Sequence, residues 1–91
     1  MFYVVCYDII NDSLRQRLHD KLLGFGTRIQ DSVFECLLDE ELYARLLREI
    51  EALRLAKDDR VRVYKLCARC VEDVAIYGPG EVSREPEFYL V

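Results

Sequence analysis

The chain has 91 residues, 52% hydrophobic and 33% charged, a globular balance that leaves room for one domain and excludes a low-complexity, fibrous or multidomain chain. Its formal net charge of −4 excludes a protein that coats nucleic acid by bulk attraction. The sign varies, however: residues 1–30 hold four basic and three acidic side chains, residues 31–59 four and nine, and residues 60–91 five and five, so any polyanion contact is local and the first third is its candidate.

The N-terminal run Phe2-Tyr3-Val4-Val5-Cys6-Tyr7 is apolar on both alternating faces and ends on Asp8, the pattern of a strand covered on both sides. It lacks the basic flank and length of a signal peptide, and no run approaches the roughly 18 apolar residues of a membrane span, so a cytoplasmic chain is expected. Its four cysteines are then expected as reduced thiols rather than a disulfide framework.

Residues 13–24 carry Leu14, Leu18 and Leu22 at helical spacing; Ser13 and Gln16 offer a capping box, and Gly24 and Gly26 stop the helix. Residues 27–38 would mix core and charge on one face if they formed a single strand. A turn around Gln30-Asp31-Ser32 resolves this into short strands at 26–30 and 33–38. From Asp39 to Ala56, Leu42, Leu46, Ile50 and Leu53 share a helical face, with Asp39 as the cap and Glu40 and Glu41 in the first turn.

Residues 60–67 alternate as a fourth strand, Val74-Ala75-Ile76-Tyr77 suggests a short fifth, and Phe88-Tyr89-Leu90-Val91 closes the tail. The order through residue 67 is βαββαβ, an α+β, ferredoxin-like antiparallel sheet with two helices on one face. The reading assigns residues 1–78 to this domain and 79–91 to a tail that adds a strand to a sheet edge, its own or a partner's. A folded chain of this size buries only about 60–65% of its unfolded surface. Strand 4 sets Tyr64 and Leu66 opposite Val61 and Val63, so the second sheet face also needs cover, and a two-fold homodimer packed sheet to sheet is expected.

By local pattern alone, Asp8 is a residue that ends a strand or caps a turn. Around it, Tyr7-Asp8-Ile9, then Asp12 with Arg15 and Leu18, Gly26 with Arg28, and Gln30-x-Ser32-Val33-Phe34-Glu35 closely resemble the small CRISPR-associated Cas-two family, the partner of the spacer integrase, from residue 2 to about 78. The resemblance implies a ferredoxin-like homodimer in which the two copies of Asp8 face each other and share one Mg²⁺. It implies a catalytic set of Asp8, Tyr7 and Phe34, with Asp8 as metal ligand and Arg15, Arg17 and Arg28 on nucleic acid. Its implied activity is metal-dependent endonuclease action on RNA or DNA, and its implied role an adaptor that holds duplex DNA for the CRISPR integrase.

Two carboxylates about 4 Å apart repel by roughly 4 kcal/mol at an effective dielectric near 20, which a cation or shared proton must relieve. A metal-bound water could attack a phosphodiester while the arginines neutralise its charge. One aspartate per chain, without an evident general base, is a thin catalytic set and favours the adaptor role over the nuclease.

Alternatives of other classes are a ribonuclease toxin of the same fold and a small-ligand regulatory domain; an RNA-recognition module lacks its aromatic Gly-Phe-Gly-Phe signature here. Cys67-Ala68-Arg69-Cys70 supplies only two of the four ligands zinc needs, without a thioredoxin-like βαβ context. Cys6 and Cys36 fit the core. His19 is expected on the solvated side of the first helix, and Asp39 to Glu41 as a helix start rather than a metal site.

Overall fold

The computed structural model describes residues 1–83. Its elements are β1 (Phe2–Asp8), α1 (Asp12–Leu23), β2 (Thr27–Gln30), β3 (Val33–Leu37), α2 (Glu40–Glu51), β4 (Arg60–Leu66) and the short α3 (Ala68–Glu72). The four strands form one antiparallel sheet in the order β2-β3-β1-β4, the ferredoxin-like arrangement expected from the βαββαβ pattern.

β1 is interior to the sheet and pairs along its length with both neighbours. Val5 lies opposite Phe34 on β3 and Val63 on β4. Alternation sends Tyr3, Val5 and Tyr7 to the face covered by Leu18 and Leu22 of α1 and Leu46 of α2, all buried with Phe34 and Cys36. Each fully buried Leu or Phe stabilises the fold by about 1.5–3 kcal/mol relative to its exposed state. Tyr3 also stacks flat on Tyr43 of α2, ring centroids 4.1 Å apart, and Lys21 of α1 pairs with Glu49 of α2.

Several boundaries differ from the sequence expectation. Asn11, not Ser13, caps α1: its Oδ1 accepts the Leu14 N–H at 2.9 Å, while Gln16 turns to donate to Asp20 instead of closing a capping box. Asp39 caps α2 as expected, accepting from the Leu42 N–H at 2.8 Å. α2 stops at Glu51 rather than Ala56, because Leu53 turns back into the core and Arg54 takes a positive φ of 54° that no α-helix accommodates.

The fifth strand is not formed at 74–77. α3 precedes this segment, the Val74 N–H closes onto the Val71 carbonyl, and Tyr77 is left 95% exposed with no strand beside it among the described residues. The proposed strand at Phe88 to Val91 lies outside the described residues.

Gly26 sits where α1 hands over to β2 against β3. A Cβ there would lie 2.3 Å from the Glu35 carbonyl oxygen and 2.6 Å from the Cys36 Sγ. The first neighbour is backbone and cannot rotate away. Gly26→Ala is therefore expected to cost about 3 kcal/mol, read as a lowered urea midpoint at unchanged slope; an unchanged midpoint would show that the β2–β3 hairpin can slide.

Candidate nucleic-acid interface

The loop after β1 is built from side chains that hold backbone. Arg15 donates to the carbonyls of Ile9 at 2.9 Å and Ile10 at 3.3 Å and pairs with Asp12, while Asp59 accepts the Ile10 N–H at 3.1 Å and the Ala56 N–H at 2.9 Å. The Asp8 side chain is exposed and, among the described residues, makes no hydrogen bond or ion pair, not even with the side chain of Arg60, its cross-strand neighbour. It caps nothing. Its place in the alternation puts it on the outer sheet face with Phe2, Val4 and Cys6, at the strand end.

Beside Asp8 lies an open cleft of about 460 Å³, walled by Tyr7, Ile9 and Arg15 on one side and Arg28, Asp31 and Ser32 on the other. Tyr7 closes its floor. The phenol donates to the Asp31 carbonyl at 3.1 Å, the Tyr7 N–H donates to the Ser32 carbonyl at 3.1 Å, and the ring lies against Phe34 with centroids 6.4 Å apart. Burial pushes the Tyr7 phenol above its ordinary value against the pull of Arg28 and Arg15, so at neutral pH it is a proton-bearing donor and not a base.

Arg28 donates to the Asp31 carboxylate at 2.8 Å and places its other terminal nitrogen 3.5 Å from His19 Nε2. The His19 ring meets Phe34 edge-on at 5.7 Å. Its Nδ1 stands 3.4 Å from both Gln16 Nε2 and Asp20 Oδ1. The structure thus gathers Tyr7, Asp8, Arg15 and Arg28 around one cleft.

Two residues of the expected set stand apart from it. Phe34 is fully buried and reaches the cleft only through the rings it supports. Arg17 borders a different, shallow depression with Asp12, Ser13 and Asp20, and has no hydrogen-bond or ion-pair partner among the described residues. Helical period explains the division: Arg15 and His19 are one turn apart on one face, whereas Arg17 is roughly 200° around from Arg15. His19 is therefore a cleft residue, contrary to the solvated position expected for it, and that period was the signal for it. Asp31 and Ser32 enter through the hairpin turn expected around Gln30-Asp31-Ser32, whose pattern marks a turn but not a cleft wall.

A small ferredoxin-like protein with an unpaired strand-end carboxylate beside an arginine-lined cleft is the class that fold and geometry define. Residues 1–74 match the family model described as CRISPR associated protein Cas2, and the chain belongs to that family. A relative from Chloroflexus aurantiacus, described as a CRISPR-associated endoribonuclease, is 43% identical over 83 residues, covering 88% of this chain and 87% of its own. Among solved structures, a hypothetical protein from Thermus thermophilus superposes with a TM-score of 0.75 at 38% identity, covering 89% of this chain and 94% of the other. A chain from a partial Cas6-RT-Cas1–Cas2 complex shares the fold, with a TM-score of 0.67 at 22% identity over 93% of each chain.

The two helix arginines should separate in a stability measurement. Arg15→Ala removes charge-assisted bonds to two loop carbonyls and, with the side chain 44% exposed, is expected to cost about 1 kcal/mol. Arg17→Ala should change unfolding by less than about 0.5 kcal/mol. Equal losses in thermal or urea unfolding would show that the loop does not depend on Arg15.

Proposed function

We propose that this chain acts in CRISPR spacer acquisition in the cytoplasm, as a homodimer that holds duplex DNA for the integrase and carries a Mg²⁺-dependent phosphodiesterase site at paired Asp8 residues. The Asp8 carboxylate, without a partner among the described residues and at the border of the cleft that Arg15 and Arg28 also line, carries this reading. The relative described as an endoribonuclease supports the hydrolytic part. The structural neighbour within a complex containing Cas1 supports an integrase partner.

Dimerisation is supported by the outer sheet face. Tyr64 is 47% exposed beside half-buried Val4, Cys6 and Leu66, and Val74, Ile76 and Tyr77 are exposed beyond α3. β4 also stands at the sheet edge, where a strand from another copy can add.

Among the described residues of one chain, no group of three or more His, Cys, Asp or Glu comes together to hold a metal ion. The donor chemistry nevertheless fits Mg²⁺ when a second copy supplies a second Asp8, because Mg²⁺ takes one or two carboxylates and keeps most of its waters. When bound there, it supplies Lewis acidity toward a phosphoryl oxygen. The chain's own residues then have distinct tasks. Arg15 and Arg28 keep the donors not spent on Ile9, Ile10, Asp12 and Asp31 for phosphate oxygens, Arg17 offers donors that no described residue takes, and Tyr7 with Phe34 behind it fixes the cleft floor.

Light scattering at micromolar concentration should report twice the mass of one chain; the mass of a single chain would remove the second carboxylate and with it the metal site. Asp8→Asn is expected to abolish Mg²⁺ binding and Mg²⁺-dependent cleavage of both single-stranded RNA and duplex DNA. With no metal present it should leave the dimer at least as stable, since a carboxylate repulsion is gone. Unchanged Mg²⁺ affinity would return Asp8 to a strand end with no chemistry.

Duplex binding tests the arginines separately from the chemistry. Arg17→Ala should lower the magnitude of the salt slope by about 0.9 per lost phosphate contact, equally on unrelated sequences. The assay is best run with and without the integrase. An unchanged slope and affinity would move the nucleic-acid surface elsewhere, to Arg60, Arg62, Lys65 and Arg69.

A further inference from the structure

The four cysteines fall into two physical classes. Cys36 is fully buried, and burial with the neighbouring Glu35 pushes its thiol up to about 11, so it is inert near neutral pH. Cys6 is half-buried in β1. Cys67 and Cys70 are both exposed, and their sulfurs stand 3.5 Å apart. Cys67 is the first residue after β4 and the cap of α3, in extended backbone at φ −72° and ψ 165°. Cys70, three positions on, lies over it on the same side of the first turn.

We propose that Cys67 and Cys70 form a reversible thiol–disulfide site that exchanges with low-molecular-weight disulfides, with Cys67 as the attacking sulfur and Cys70 as the resolving one. The geometry needs little change to close. A disulfide requires the sulfurs to approach to about 2.05 Å, and rotation about the two Cα–Cβ bonds supplies most of that without moving the strand. The asymmetry of the pair sets the direction. The Cys70 amide and thiol favour charge on Cys67 and hold it below its ordinary range, while Cys67 and Asp73 oppose charge on Cys70 and raise it.

The exchange balances as follows. Cys67 gives up its proton, and the thiolate attacks one sulfur of the small disulfide, breaking that bond and releasing one thiolate, which is protonated. Cys70 then loses its proton and attacks the Cys67 sulfur of the mixed disulfide, expelling the second small thiol. The protein pair is oxidised by two electrons and the small disulfide is reduced to two thiols. Oxidation would staple the first turn of α3 to the end of β4, where the chain departs toward Ser83, whose N–H and hydroxyl both donate to Glu35 on β3.

The test uses the full chain in buffers of oxidised and reduced glutathione. After oxidation and denaturation, titratable thiols should fall from four to two per chain, with a mass lower by two hydrogens. Trypsin cuts after Lys65 and Arg69, so the oxidised protein should release residues 66–69 still joined to the peptide that begins at Cys70. Cys70→Ser should accumulate glutathione on Cys67, faster than Cys67→Ser accumulates it on Cys70. Four thiols surviving the oxidised buffer, linkage through Cys6, equal trapping in the two variants, or tight Zn²⁺ capture that blocks oxidation would each overturn the proposal.

Discussion

Strand β1 is hydrogen-bonded along both edges and apolar on both faces, and most of the molecule answers to that constraint. One face is covered from within the chain: Tyr3, Val5 and Tyr7 meet α1 and α2. The other face carries Phe2, Val4 and Cys6 between Leu37, Glu35 and Val33 of β3 and Leu66, Tyr64 and Arg62 of β4. Glu35 there is spoken for by Ser83, and Tyr64 accepts a hydrogen bond from Arg62 at 3.1 Å. Apart from Asp8 at the strand end, these polar groups on that face are tied up locally, which leaves its apolar atoms as the surface most costly to keep in water.

The same strand explains why Asp8 is available. A carboxylate where a strand turns into a helix usually ends up as a cap, because unpaired N–H groups cluster there. In this chain those tasks fall to others. Asn11 takes the helix N-terminus, Asp59 takes the Ile10 amide from just before the neighbouring β4, and Arg15 takes the two carbonyls. The charge at position 8 is surplus to the fold. Arg15 is correspondingly both a structural residue and a cleft wall, so its loss would move two readouts, whereas Arg17, without a partner among the described residues, would move one.

Where each inference was legible in the sequence follows from how local its cause is. The alternation of β1, the Leu14–Leu18–Leu22 stripe and the Asp39 cap depend on near neighbours, and the structure bears them out. The end of α2 depends on Leu53 being drawn into a core assembled by distant strands, which no periodicity within the helix encodes. The segment at 74–77 has strand-forming residues, but a strand needs an edge to pair with, and within one chain α3 leads it away. Tyr7, Asp8, Arg15 and Arg28, singled out through the family resemblance, do border one cleft. His19, one turn after Arg15 on the polar side of the leucine stripe, was legible as a helix-surface residue, whereas its approach to Phe34 and Arg28 depends on the packing of distant strands against that helix.

A two-fold arrangement, as proposed, would act on both signs of charge at once. It would set two Asp8 carboxylates near one another, at a repulsion of roughly 4 kcal/mol for a 4 Å separation and an effective dielectric near 20. It would also double the arginine set from three to six, in a chain whose net charge of −4 gives no general attraction for phosphate. The repulsive centre and the attractive flanks then call for the same ligands: a hard cation between the carboxylates and a polyanion across the arginines. Each lowers the cost of the other, because a bound cation weakens the repulsion between Asp8 and an incoming phosphate backbone. On that proposal the two roles would be coupled without being identical, since the arginines would still face a duplex with Asp8 replaced by a neutral side chain, whereas the proposed hydrolysis would lose its carboxylates.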